Sequence, residues 1–164
     1  MKKYLFILLS ILYLGSCSSE DTSVDVTVMP PVTTTGANTF GCLIDGWVYV
    51  GGRYNNWDDY KEWTPQSFWY YENENDNSLS KLTARVSVKP NTYITFTIVS
   101  PQEGKEAVLT ELWMEGDELE DGTAFISRFD KKTRIISGTF SNEGRLTNGR
   151  FDIHYSKTSE SNFD

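Results

Sequence analysis

The sequence predicts an all-β domain: a single antiparallel β-sandwich of about eight strands, with a small β-barrel as the alternative. Three observations carry this expectation. From Thr39 onward, β-prone runs alternate apolar and polar residues with period two. Short turns rich in Asp, Asn, Gly and Pro separate those runs. No segment keeps a helical period without also reading as a strand.

The elements follow in chain order. Phe40-Gly41-Cys42-Leu43-Ile44 leads into Asp45-Gly46, then Trp47-Val48-Tyr49-Val50. Asp-Gly between two β-prone runs is a strong hairpin signal, because a type I′ turn needs positive φ at both central residues. The next strand, Gln66 to Glu72, carries Phe68 and Tyr70 on one face and Trp69 and Tyr71 on the other. Ser80 to Lys89 alternates Leu82, Ala84, Val86 and Val88 with polar residues, and Thr92 to Val99 follows after a Pro90-Asn91 turn. Lys105 to Leu119 is ambiguous. Val108, Leu109, Leu112 and Trp113 would share a helix face, yet Trp113-Met114 before Glu115-Gly116-Asp117 also suits a strand ending in a turn. An irregular strand is expected, since its sequence neighbours are strands and neighbours tend to pair. Thr123 to Phe129, Thr133 to Phe140 and Arg150 to Tyr155 complete the set, with Asp130-Lys131-Lys132 as a hairpin loop. Gly138, inside a strand, signals a bulge or a close approach by a neighbour.

The N-terminus has a different character. Lys2 and Lys3 precede an apolar run from Leu5 to Leu14, and Gly15-Ser16 precede Cys17. This is the layout of a secretory signal peptide, and the run falls short of the roughly 20 apolar residues that span a bilayer. Leu14-Gly15-Ser16-Cys17 resembles a bacterial lipobox. That resemblance implies cleavage after Ser16 and acylation of Cys17, with several acyl chains making the membrane tether effectively permanent. Ser18 to about Asn38 is rich in Ser, Thr, Pro and acid and lacks core aromatics, so it reads as linker. The division expected is a signal peptide at 1–16, a lipidated cysteine and flexible linker at 17–38, a β-domain at 39–157 and a disordered tail at 158–164.

Charge narrows the partners. The chain carries 15 basic and 23 acidic residues, a formal net charge of -8. Without Lys2 and Lys3 this becomes -10, which suits neither nucleic acid nor a flat approach to anionic lipid. Of two cysteines, lipidation of Cys17 leaves Cys42 alone, expected as a small buried hydrophobe.

Two further stretches carry a resemblance. Thr35-Gly36-Ala37-Asn38-Thr39-Phe40-Gly41-Cys42 runs on to Asp45-Gly46. At the far end stand Ile135-Ile136-Ser137-Gly138-Thr139-Phe140 and Thr147-Asn148-Gly149-Arg150-Phe151-Asp152-Ile153-His154-Tyr155. Together they resemble the opening and closing motifs of a family of Bacteroidetes lipoproteins of unknown function. The resemblance brackets Thr35 to Tyr155, while the middle shows no clear match. One departure is the short Ser141–Asn148 hairpin, where such proteins have a longer one. The resemblance implies a lipoprotein anchored to the outer membrane, periplasmic or surface-exposed, and brings no catalytic residues.

Candidate chemistry is sparse. The single histidine, His154, alternates between Ile153 and Tyr155 on the last strand, and no nucleophile elbow accompanies it. Arg150 and Asp152, two apart, suit a polar outer face better than a catalytic pair. No His/Cys cluster suggests zinc. The oxygen-rich Glu72-Asn73-Glu74-Asn75-Asp76-Asn77 and Asn55-Asn56-Trp57-Asp58-Asp59 read as solvated turns, not calcium loops. Neither a metal nor a cofactor is expected, and an enzyme is not. The best hint is the run of aromatics from Trp47 to Tyr71. Aromatic faces stack on sugars and anchor protein interfaces. The expected site is the Tyr54–Trp63 loop, with Trp57 stacking, Asn55, Asn56 and Asp58 hydrogen bonding, and Trp63 as a further ligand-binding residue. The function expected is a membrane-anchored, non-catalytic binding module for a glycan or an envelope protein. The alternatives are a structural or accessory subunit of an envelope complex and, third, a hydrolase.

Overall fold

In the computed structural model, residues 28–51, 66–89 and 92–158 are described. The stretch expected as a signal peptide, Cys17, Pro90-Asn91, the last six residues and all of the expected site from Tyr54 to Trp63 lie outside them.

The strands are β1 (Thr39–Ile44), β2 (Trp47–Gly51), β3 (Gln66–Tyr71), β4 (Lys81–Lys89), β5 (Thr92–Val99), β6 (Glu106–Met114), β7 (Asp117–Glu118), β8 (Gly122–Asp130), β9 (Ile135–Asn142), β10 (Leu146–His154) and β11 (Ser156–Thr158). One 3₁₀ turn, Asn77–Leu79, joins β3 to β4, and no α-helix occurs among the described residues. No helix there is long and apolar enough to cross a membrane.

The expected all-β, mainly antiparallel character holds. The arrangement differs from a sandwich of two sheets. All eleven strands belong to one sheet in the order β11-β3-β4-β5-β6-β8-β9-β10-β1-β2, with β7 on β6, curled into a half-barrel. Every pairing is antiparallel except β11 on β3. The additional strands β7 and β11 are only two and three residues long, too short to announce themselves by alternation.

Curling brings the β2 edge of the sheet over β4, the third strand from the opposite edge. Gly51, at the end of β2, packs against Val86 of β4 so closely that a Cβ there would overlap Val86 Cγ1. Phenylalanines from strands far apart in the sheet order meet inside. Phe40 lies 6.2 Å from Phe96 and 5.5 Å from Phe140, and Phe68 lies 6.1 Å from both Phe96 and Phe151. Tyr70, Phe129 and Tyr155 form a second cluster. On β3 the core takes Phe68 and Tyr70, leaving Trp69 and Tyr71 half-buried on the outside.

The β1–β2 hairpin turns as the sequence predicts. Asp45 has φ 52° and Gly46 φ 81°, the backbone of a type I′ turn. Arg145 binds the Asp45 carboxylate from the adjacent hairpin.

Bulges modulate the alternation. Opposite Phe96 of β5, the partner strand β6 carries both Glu111 and Leu112, and Glu111 takes φ 53°. The extra residue lets Leu109 and Leu112, three apart, both face the core. That spacing mimics a helical period, which accounts for the ambiguity of this segment. Gly138 sits beside another irregularity, between Ile126 and Arg128 of β8, where Phe125 O closes on it.

The described part of the expected flexible linker needs correcting. Thr33 to Asn38 is docked on the outer face of β9 and β10. The Asp152 carboxylate accepts from Thr33 Oγ1 (2.6 Å), Thr35 N (2.9 Å), Gly36 N (2.7 Å), Ala37 N (3.1 Å) and Ser137 Oγ (2.6 Å). Asn38, at φ 55°, accepts from His154 N through its side chain. Arg128 and Arg150 bind the carbonyls of Thr34 and Pro30. Pro30 rests on Gly41, where any side chain would collide with it. The folded unit therefore begins well before Thr39, and β11 carries it to Thr158 rather than 157.

Candidate functional site

The outer face of β4, β5 and β6 forms an open groove of about 530 Å³ lined by Arg85, Thr92, Tyr93, Thr95, Trp113, Glu115 and Gly116. Strand geometry builds it. Arg85 is paired with Thr95, and Thr95 with Trp113, so the three lie in a row across neighbouring strands. Adjacent strands are about 4.8 Å apart, which spaces Arg85 and Trp113 by about 10 Å at the backbone.

The Glu111 bulge decides which way Trp113 points. Strict alternation from buried Leu109 would send Trp113 into the core. One extra residue turns it outward, where it is 40% exposed, and Met114 inward, where it is 6% exposed. Tyr93, two residues before Thr95, shares the outer face. The Arg85 guanidinium carbon lies 4.2 Å above the Tyr93 ring centre, a cation–π stack. Glu115 (φ 56°) and Gly116 (φ 89°) form the tight turn into β7, and Thr92 Oγ1 donates to Glu115 Oε1 at 2.9 Å. The groove thus combines an exposed indole, a stacked phenol–guanidinium pair and side-chain hydroxyls.

A second groove, of about 470 Å³, runs over β8, β9 and β10 beside Val32, with Phe125 at 45% exposure.

The other sequence candidates resolve individually. Asn55, Asn56, Trp57, Asp58 and Trp63 lie outside the described residues, as does Cys17. Cys42 is fully buried, and burial pushes its thiol up to about 12. His154 faces outward with Nδ1 3.2 Å from Asn38 Oδ1, so the structure does not bring the two together. Arg150 and Asp152 are each engaged by the docked N-terminal segment. The oxygen-rich turn after β3 is occupied with its own backbone. Asn73 Oδ1 accepts from Asn75 N and Asp76 N, and Asp76 Oδ1 accepts from Ser78. Glu72 is paired with Lys131 and with Lys157. Among the described residues, no three His, Cys, Asp or Glu side chains are gathered to hold a metal ion.

Sequence reasoning missed Arg85, Tyr93 and Trp113 as a group. Each was visible as an alternating strand residue, but their meeting depends on strand register and on the bulge.

Comparison with protein-family models, curated proteins and solved structures gave no match.

Proposed function

We propose that the chain is a lipid-anchored, non-catalytic binding module of the cell envelope, tethered through Cys17 to the outer membrane, and that its ligand is a carbohydrate held in the β4–β6 groove. The observation that carries this reading is Trp113, turned out of the core by a bulge and set beside the Arg85–Tyr93 stack. At 40% exposure the indole gives up part of the burial that stabilises a fully buried large apolar side chain by about 1.5–3 kcal/mol. On a sheet face rich in hydroxyls, its ring offers a stacking platform while Thr92, Thr95 and Glu115 supply hydrogen-bond groups. Trp113→Ala should abolish retention on a glycan array while leaving the melting temperature within about 2 °C. Retention of the variant equal to wild type would sink the reading.

A role as an accessory subunit draws support from the other groove, where Phe125 and nearby Val108 are exposed on adjacent strands. That role predicts a partner recovered from detergent-solubilised membranes whose capture is lost in Phe125→Ser.

A further inference from the structure

We propose that the sugar bound in the β4–β6 groove is a uronic acid, and that Arg85 receives its carboxylate. This rests on the carbohydrate reading of the groove and adds the ligand's charge.

The surroundings of Arg85 carry the inference. Its outward neighbours on the sheet are Ser67 and Thr95 across the strands and Thr83 and Ser87 along β4. None of these carries a charge. Among the described residues, the ion pairs engage Arg128, Lys131, Arg145 and Lys157, and Arg85 is in none of them. Although the chain carries 23 acidic residues, none of the described ones forms an ion pair with this exposed arginine. The acidic residue that does line the groove, Glu115, is tied to Thr92 Oγ1.

Stacking on Tyr93 preorganises the group. A guanidinium lying over a ring keeps its plane fixed and leaves the N–H groups at its edge for a partner in that plane. A planar carboxylate matches that fork with two parallel hydrogen bonds. Trp113 lies two strands away in the same row, so a ring stacked on its indole can direct a carboxylate toward Arg85. A neutral sugar would use the platform and leave the arginine unanswered.

The test uses full-length protein in detergent and a panel of galacturonate, glucuronate and mannuronate oligosaccharides, each printed beside its carboxyl-reduced counterpart. Wild type is expected to bind at least one uronate about tenfold more tightly than its reduced form. Arg85→Gln should erase that difference, keep the weaker binding of the reduced form, and melt as wild type does. Arg85→Lys should restore only part of it, since the charge returns without the fork. Equal binding of acidic and reduced sugars by wild type, or a preference that survives Arg85→Gln, overturns the uronate assignment and leaves the carbohydrate reading standing. Binding of neutral glycans alone does the same. No retention on any sugar overturns both.

Discussion

The carboxylate of Asp152 and the backbone amide of Gly36 meet at 2.7 Å, joining the last long strand to the segment that precedes the first. Asp152 is 1% exposed and stands on the outer face of β10, between inward Phe151 and Ile153. Burial alone would raise its carboxyl above the ordinary range. The hydrogen bonds from Ser137, Thr33, Ala37 and Gly36 outweigh burial and hold it well below that range. The Thr33–Ala37 segment and the β9–β10 pair are thus the two halves of one contact, with Asp152 more than a hundred residues along the chain from the segment it holds.

Asp152→Asn should cost about 3 kcal/mol, because an amide oxygen accepts fewer bonds and leaves buried N–H groups without an acceptor. The pH dependence has a definite sign. A carboxyl depressed in the folded state stabilises fully above its unfolded value of about 3.9, and that contribution is lost as pH falls toward the folded value. Urea midpoints should therefore drop in wild type below about pH 5 and drop less steeply in the variant. Parallel acid profiles would contradict this role for Asp152.

The contact between Gly51 and Val86 holds the β2 edge over β4, and it can be probed by a double-mutant cycle. Gly51→Ala places a methyl into Val86 Cγ1 and should cost about 2 kcal/mol through overpacking. Adding Val86→Ala removes the obstructing methyl. The double variant should be less destabilised than the two single losses summed, by 0.5 kcal/mol or more. Additive losses measured by guanidinium unfolding would mean that β2 and β4 do not constrain each other.

Cys42 reports on the core directly. It is fully buried, with a thiol pushed up to about 12, so alkylation by iodoacetamide at pH 8 should follow global unfolding and stop in the native protein. Here the sign is opposite to that of Asp152. A pKa raised by folding leaves stability intact below the unfolded thiol value of about 8.5 and erodes it as pH rises beyond. Cys42→Ala should flatten that alkaline loss. Rapid labelling under native conditions would show that β1 opens locally.

Much of this architecture is written in alternation. Phe40, Cys42 and Ile44 on β1 and Leu82, Ala84 and Val86 on β4 follow period two without interruption, and those strands are legible from sequence. Asp45-Gly46 is equally legible because its backbone demand is local. What alternation cannot show is how strands close on one another. A sandwich and a curled single sheet use the same inward and outward residues, and only contacts such as Gly51 on Val86 separate them. The docking of Thr33–Asn38 was hidden for a related reason. Its Thr and Gly residues look like linker until the partner carboxylate, more than a hundred residues later, is placed beside them. The groove was hidden most deeply, since an inserted residue at Glu111 reverses the face on which Trp113 lies.

That bulge yields the sharpest test of how sequence makes the groove. Glu111 holds φ 53°, a conformation that costs an ordinary side chain about 1 kcal/mol or more and costs glycine nothing sterically. Glu111→Gly should keep or slightly raise the melting temperature and leave ligand binding intact. Glu111→Val places a β-branched residue where it is least tolerated and should be less stable than the glycine variant by about 2 kcal/mol. Deleting Glu111 is a different perturbation. With one residue gone, alternation from Leu109 runs outward at Thr110, inward at Leu112 and outward at Trp113, so Phe96 faces Leu112 alone and β6 pairs without a bulge. The indole stays in the groove, so the deletion variant should keep glycan retention and an exposed Trp113. Should it lose retention and shield its indole, seen by reduced quenching of Trp fluorescence with acrylamide, Glu111 would not be the residue that β6 carries outside its alternation.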